Sequence, residues 1–416
     1  MKTTRLTIAA FSLVGILLAA APGQPTPVPD GNAKAAASAV AQANNAFALD
    51  LYANLREQPG NLFLSPHSIH VALAMTSAGA RGQTAQQMAN VLHFTLPQDK
   101  LPGAFAGLIK DLNTGGKIGD RELYKLVVAN ALWAQKDYPF HADFQNVVSA
   151  NYGAALGRVD FINATEDARL EINRWVEKQT NDKIKDLLQP GVLTPLTRLV
   201  LTNAIYFKSN WANQFPKFAT RDAPFHVTSD KTTQVKMMHQ AERFAYLEAD
   251  GLQAVELPYI GNRLSMVVLL PAKVDALGEL EKTLTGAKLT EWVGGLKARR
   301  VQLALPRFTF SSQFSLSRTL QSLGMTDAFS PAAADLSGIA TVDKLFIQAV
   351  IHKAFVDVNE EGTEAAAATA VAIGVKAILE PDQPVVFTAD HPFLFVIRHR
   401  DSGTILFLGR VVNPAA

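Results

Sequence analysis

Apolar residues change their spacing along this chain. In the first half they recur at helical intervals over Ala33–Glu57, Ser68–Gly79 and Gln83–Leu92, the second of these opened by Ser65-Pro66. Leu123–Ala134 breaks the series with a strand-like run that includes Val127, Val128, Leu132 and Trp133. Helical spacing returns over Glu166–Leu188, carried by Leu170, Ile172, Trp175, Val176, Ile184 and Leu187. From Arg198 to Phe207 the residues become β-branched and apolar, and beyond Phe225 alternation dominates. The strands predicted there are Val235–His239, Phe244–Glu248, Leu252–Tyr259, Leu264–Leu270, 301–310, 346–358, Val385–Thr388, Phe393–Arg398 and Ile405–Val412. Helices are predicted among them near Lys273–Thr285, Leu289–Lys297 and 314–323. Helices thus gather early and strands late. They do not alternate as βαβ units do, so the fold class is α+β rather than doubly wound. No linker composition interrupts residues 43–414, and one large domain is expected over 43–416.

One stretch fits neither pattern. After a strand ending near Val358 comes Glu360-Glu361-Gly362-Thr363-Glu364-Ala365-Ala366-Ala367, continuing through Ala368, Thr369, Ala370, Val371, Ala372, Ile373 and Gly374 to Val375. At period two, Thr363, Ala365, Ala367, Thr369, Val371 and Ile373 make one uncharged face of small or β-branched residues. Such a ribbon can enter a sheet interior without a steric or desolvation penalty. Its alanines equally favour helix or exposed coil. A segment whose local preference and sheet compatibility disagree suits an element with two states. The bland alternative is a surface helix or a flexible linker. Lys376-Ala377 follows, then Pro381 and Pro384, which reads as an exposed loop carrying an isolated basic residue.

Composition narrows the function. Lys+Arg number 39 and Asp+Glu 37, so no net field draws the chain to nucleic acid or an anionic membrane. The chain has 0 cysteines, which removes disulfides, thiolate nucleophiles and cysteine-based zinc sites together. Lys2 and Arg5 precede an apolar run from Leu6 to Ala21 and then small residues and proline. This is the pattern of a signal peptide over residues 1–23, and a secreted protein, extracellular or periplasmic, is expected. The run is short for a membrane anchor, which needs ~20 apolar residues. Residues 24–42 read as a Pro/Ala-rich extension and the start of the first helix. No Gly-x-Ser-x-Gly, His-Glu-x-x-His or Walker loop occurs, so catalytic residues, metal and cofactor are all expected to be none.

Here the sequence resembles the serpin family. The hinge Glu360–Ala367 matches the pattern of inhibitory members almost letter for letter. Asn61-Leu62-Phe63-Leu64-Ser65-Pro66-His67-Ser68-Ile69 is similar to the family's early signature. Thr202-Asn203-Ala204-Ile205-Tyr206-Phe207-Lys208, with Trp211 and Phe215, resembles its central strand. Asp390-His391-Pro392-Phe393-Leu394-Phe395 and Phe407-Leu408-Gly409-Arg410-Val411 resemble its C-terminal ones. In order and together, these matches run from about residue 43 to residue 414.

The resemblance implies a domain of three β-sheets with eight or nine helices and an exposed reactive loop, in a secreted, monomeric protein, read as a bacterial one. It implies a suicide inhibitor whose partner is a protease. The protease attacks the loop and forms an acyl-enzyme. The cut loop then enters the central sheet and carries the trapped protease with it. The uncut state is a kinetic trap. The seventeenth residue counted from Glu360 is Lys376, which makes Lys376–Ala377 the expected reactive bond and a trypsin-like protease the expected target. Cutting at Val375 or Ala377 instead would suit an elastase-like target. Ser65, Ser68, Asn203 and His352 match the family's shutter, beneath the point where the sheet opens. Arg307 continues the face of Val301, Leu303 and Leu305, where a charge needs a partner or an exit to solvent. The resemblance places Arg307 near Glu360, with Trp211 close by. A non-inhibitory member acting as carrier or binding module is the rival reading.

Overall fold

The computed structural model describes residues 30–114, 116–118, 121–341, 345–363 and 383–416. The signal-peptide reading over 1–23 therefore lies outside the described residues. In chain order the helices are α1 (Asp30–Leu55), α2 (Pro66–Ser77), α3 (Gly82–Val91), α4 (Leu101–Thr114), α5 (Ala142–Asn151), α6 (Thr165–Gln179), α7 (Leu277–Thr283), α8 (Gly286–Gly295) and α9 (Ser317–Ser322). The first strands are β1 (Leu62–Leu64), β2 (Lys117–Ile118), β3 (Arg121–Glu122), β4 (Tyr124–Gln135), β5 (Ala155–Val159) and β6 (Leu199–Asn210). Next come β7 (Arg221–Thr228), β8 (Lys231–Ala249), β9 (Leu252–Pro258), β10 (Leu264–Pro271), β11 (Lys297–Pro306) and β12 (Phe308–Ser315). Last are β13 (Ala349–Val358), β14 (Gly362–Thr363), β15 (Val385–Thr388), β16 (Phe393–His399) and β17 (Ile405–Val411).

A 6-stranded sheet has the order β12-β13-β14-β6-β4-β5, and a 9-stranded one the order β1-β17-β16-β10-β9-β8-β11-β15 with β7 beside β8. β2 and β3 form a small separate ribbon. The long β8 pairs with β7 and β11 over most of its length and with β9 over Ala245–Ala249, so it joins two strand blocks into one sheet. This gives the α+β fold that the pattern predicts; where the resemblance implies three sheets, the described residues form two large ones and a small ribbon.

The two large sheets meet through aromatic rings. Phe63 stacks on Phe407 with ring centroids 5.0 Å apart, and Phe207 of β6 lies 5.7 Å from the same ring. α2 is buried along its whole length behind β4 and β6. That explains why its spacing is apolar rather than amphipathic. On the opposite face α6 covers the 6-stranded sheet, setting Ile172 and Val176 against Trp133, Val200 and Ile351. The 6-stranded sheet is therefore packed from both sides, and its strands read as nearly continuous apolar runs.

Several predicted bounds are corrected. The helix expected over Glu166–Leu188 ends at Gln179, because Asn181, Asp182 and Asp186 take left-handed backbone angles. Ile184, Leu187 and Leu188 are still buried, so the apolar spacing outlasts the helix that suggested it. The two strands predicted at Val235–His239 and Phe244–Glu248 are one, β8, whose exposed polar middle hid the continuity. The single strand predicted over 301–310 is two, which belong to different sheets. Pro306 ends β11, the chain crosses at Arg307, and β12 starts at Phe308. Arg307 is consequently exposed while Val301, Leu303 and Leu305 are buried, so it does not extend their face. Helices α4 and α5 and strands β5 and β7 were not foreseen.

Candidate functional site

At the centre of the 6-stranded sheet the pairing changes partway up. β13 and β6 bond directly to each other from Ala349↔Val200 to Phe355↔Tyr206. Above that point they part, and β14 fills the gap. Thr363 pairs with Val358 on one side and Ser209 on the other, and Gly362 pairs with Asn210. The approach is tight, since a Cβ on Gly362 would lie 2.0 Å from the Ser209 carbonyl oxygen. Glycine is the residue that admits so close a backbone. Thr363 is 1% exposed, and its hydroxyl lies 2.7 Å from Tyr259 Oη. Burial pushes the Tyr259 phenol well up, which keeps it neutral and able to donate.

The residues just before β14 are held by a polar clamp. The Glu360 carboxylate accepts from Thr220 Oγ1 at 2.7 Å and faces Arg307 Nε at 3.5 Å. Glu361 pairs with Lys217 at 2.6 Å, and its carbonyl accepts from the Trp211 backbone N–H at 2.9 Å. The Trp211 indole donates to the Asn359 carbonyl at 3.0 Å and stacks on Tyr259 at 4.6 Å. Arg307, Trp211, Glu360 and Glu361 thus meet at the mouth of the gap. Glu364, Ala365, Ala366, Ala367 and the expected bond Lys376–Ala377 lie outside the described residues.

Below the gap, where β13 and β6 are zipped, a row of polar side chains crosses the sheet. His352 is register partner to Asn203, and Asn203 to Asn130 on β4. The Ser65 backbone N–H donates to His352 Nε2 at 3.1 Å. Nε2 therefore carries no proton, and Nδ1–H donates to Asn203 Oδ1. Asn203 Nδ2 in turn donates to Ser68 Oγ and to Asn130 Oδ1. Ser65 caps α2 by accepting from the Ser68 N–H, and its hydroxyl donates to the Leu406 carbonyl at 2.7 Å. Full burial pushes the pKa of His352 down to about 3, against a smaller opposing effect of its Asn203 bond. The ring is neutral at ordinary pH, as two-way bonding demands. Ser65, Ser68, Asn203 and His352 are thus brought together. Asn130 belongs with them and was missed, although a lone amide inside the apolar run of β4 already required a buried partner.

A gap that is zipped below and begun above is a place where a strand can be added. Comparison with known proteins supplies the context. The sequence model described as "Serpin (serine protease inhibitor)" matches residues 42–414. The chain belongs to the serpin family. It is 46% identical to the leukocyte elastase inhibitor of Equus caballus over 382 residues, covering 89% of this chain and 98% of that one. Among solved structures, a serpin of the insect Tenebrio molitor, described as highly specific, superposes with a TM-score of 0.81 at 35% identity, covering 90% of this chain and 98% of that one. Human thyroxine-binding globulin in complex with its hormone superposes with a TM-score of 0.82 at 32% identity, covering 91% and 99%. As a serpin this chain is a protease inhibitor and not a catalyst.

Proposed function

We propose that this serpin is a secreted, monomeric suicide inhibitor. It traps its protease as a covalent acyl-enzyme and then draws its cut loop into the 6-stranded sheet. The observation that carries this reading is the gap between β13 and β6, already begun by Gly362 and Thr363. Every further loop residue that enters would replace a direct β13–β6 pair by two new ones. The uncharged small face that follows Thr363 in the sequence suits such entry. A rival reading as a carrier or binding module, suggested by the name thyroxine-binding globulin, is disfavoured because Thr363 and every second residue after it to Ile373 include no charge, proline or bulky ring.

The reactive bond proposed is Lys376–Ala377, where a lysine would enter a pocket floored by aspartate in a trypsin-like protease. Within this mechanism, Ser65, Ser68, Asn203 and His352 are the polar groups that exchange partners as the strands separate. Arg307 and Trp211 hold the point of entry. A second reading of the target is favoured by the names of relatives such as the horse elastase inhibitor: an elastase-like protease cutting at Val375 or Ala377. Trypsin and elastase, each mixed with the full chain, separate the two. The trapped protease gives a complex that survives denaturant, and mass spectrometry of the C-terminal fragment, separated under denaturing conditions, locates the bond. If both proteases cut the loop and neither is retained, the chain is a substrate or a carrier and the reading fails.

A further inference from the structure

Away from the loop, a cavity of about 150 Å3 lies between α2, α4, the end of α5 and the outer half of β4. Val71, Ile109, Leu112 and Leu126 give it an apolar lining, and it reaches the surface beside Val128 and Gly153. A space of this size takes a single benzene-sized ring. The lining is not wholly apolar. Asn113 and Asn130 contribute amides, and His67 and Tyr152 also face it, 3% and 4% exposed, with His67 Nδ1 and Tyr152 Oη buried and without a hydrogen-bond partner among the described residues. Buried polar atoms are nearly always paired, and each one left unpaired costs ~1–3 kcal/mol. Two such atoms on one small cavity are the mark of a site that something polar completes.

The chemistry of the walls selects the ligand. Burial, helped by His399, pushes the pKa of His67 down to about 4, so the imidazole is neutral. None of the lining residues carries a formal charge, so a carboxylate, phosphate or ammonium would be stripped of water with no counter-ion. A hydroxyl both donates and accepts, and so can serve His67 Nδ1 and Tyr152 Oη in either sense.

We propose that this cavity is a binding site for a small neutral aromatic alcohol, its ring against Val71, Ile109, Leu112 and Leu126 and its hydroxyl toward His67 and Tyr152. Titration calorimetry on the uncut full chain tests it, with phenol as the probe and toluene as its counterpart without the hydroxyl. Phenol should give saturable heat for one site per chain and bind more tightly than toluene. Tyr152→Phe, which removes an unpaired hydroxyl and should fold at least as well, is expected to weaken phenol about 5- to 10-fold, the worth of one hydrogen bond. The same change should leave toluene unaffected. Absence of saturable heat would mean that the cavity holds water alone. Equal affinity for phenol in both proteins would mean an apolar void without polar recognition. Either result overturns the proposal. Binding is read directly, so the outcome is independent of whether the chain inhibits a protease.

Discussion

Two residues govern the 6-stranded sheet from opposite ends of its gap. His352 must be neutral to accept from Ser65 N–H while donating to Asn203. Its pKa is about 3 in the fold against 6.5 for the free side chain. At neutral pH neither state holds the proton and the group is silent. As pH falls below 6.5 the unfolded chain takes up a proton that the native state refuses, so stability declines until the folded pKa is reached. From pH 7 to pH 5 this costs about 2 kcal/mol. Buried His67 and His70 act in the same direction. In His352→Gln the loss of stability between pH 7 and 5, measured by chemical denaturation, should shrink by about that amount; an unaltered pH slope would show the ring is not held neutral. At the other end stands Gly362, where any Cβ meets the Ser209 carbonyl. Gly362→Ala should cost about 1–3 kcal/mol through overpacking and lower the melting point of the uncut protein. An unchanged melting point would mean that β14 is not seated as described. Neither constraint was readable in the sequence itself. The resemblance marked Gly362 and His352 as important, but which groups stand 2.0 Å away or bond to a ring nitrogen depends on strands distant in the chain.

Among the elements, β14 is one of the shortest and the most consequential. It holds Thr363 in a fully enclosed position between β13 and β6, with its hydroxyl on Tyr259. Thr363→Arg would place a guanidinium where the side-chain partner among the described residues is the neutral Tyr259 hydroxyl, and burying an unpaired charge is prohibitive. The expected outcome is a change of pathway rather than of recognition. The loop is still cut by trypsin at the wild-type rate, while the denaturant-resistant complex on a gel disappears. Retention of the complex would remove Thr363 from the inserting face. Elements of this sheet were well legible, because β4 beyond Val128, most of β6 and the start of β13 are buried on both faces and read as nearly continuous apolar runs. Others were not. α4 and α5 pack a narrow stripe behind polar surfaces, and α6 loses its last turns to left-handed asparagine and aspartate although the spacing continues. The division between β11 and β12 turns on one proline and on which sheet the next residue joins, and alternation alone carries no such information.

For the molecule as a whole, the proposed mechanism requires room in the 6-stranded sheet for one more strand. Between Ala349 and Phe355 β13 has β6 as its direct neighbour, and a segment entering there would add a paired strand to an already closed sheet. About ten residues gaining net hydrogen bonds of ~0.5–1.5 kcal/mol each would raise the melting point by roughly 10 °C or more. Calorimetry before and after nicking of the loop measures this directly. A melting point that stays in place would exclude insertion and favour the carrier reading. The overall class was legible early because helices precede strands. The joining of two strand blocks through β8 was not, since the exposed residues from Ala241 to Arg243 resemble a loop.

The two described flanks of the loop belong to different sheets. Thr363 ends in the 6-stranded one, whereas Val385 begins β15, aligned parallel with β11 in the 9-stranded one. Beyond it β16 and β17 lie in the deep interior, flanked by β10 and β1. A nick at the proposed position therefore severs the covalent chain without releasing either piece. The described residues of the C-terminal piece, 383–416, would stay lodged as part of the scaffold and separate only when the whole molecule is melted. Under the proposed mechanism proteolysis would act as a trigger for rearrangement rather than a step in degradation, and a column run under native conditions would see one particle where a denaturing gel sees two.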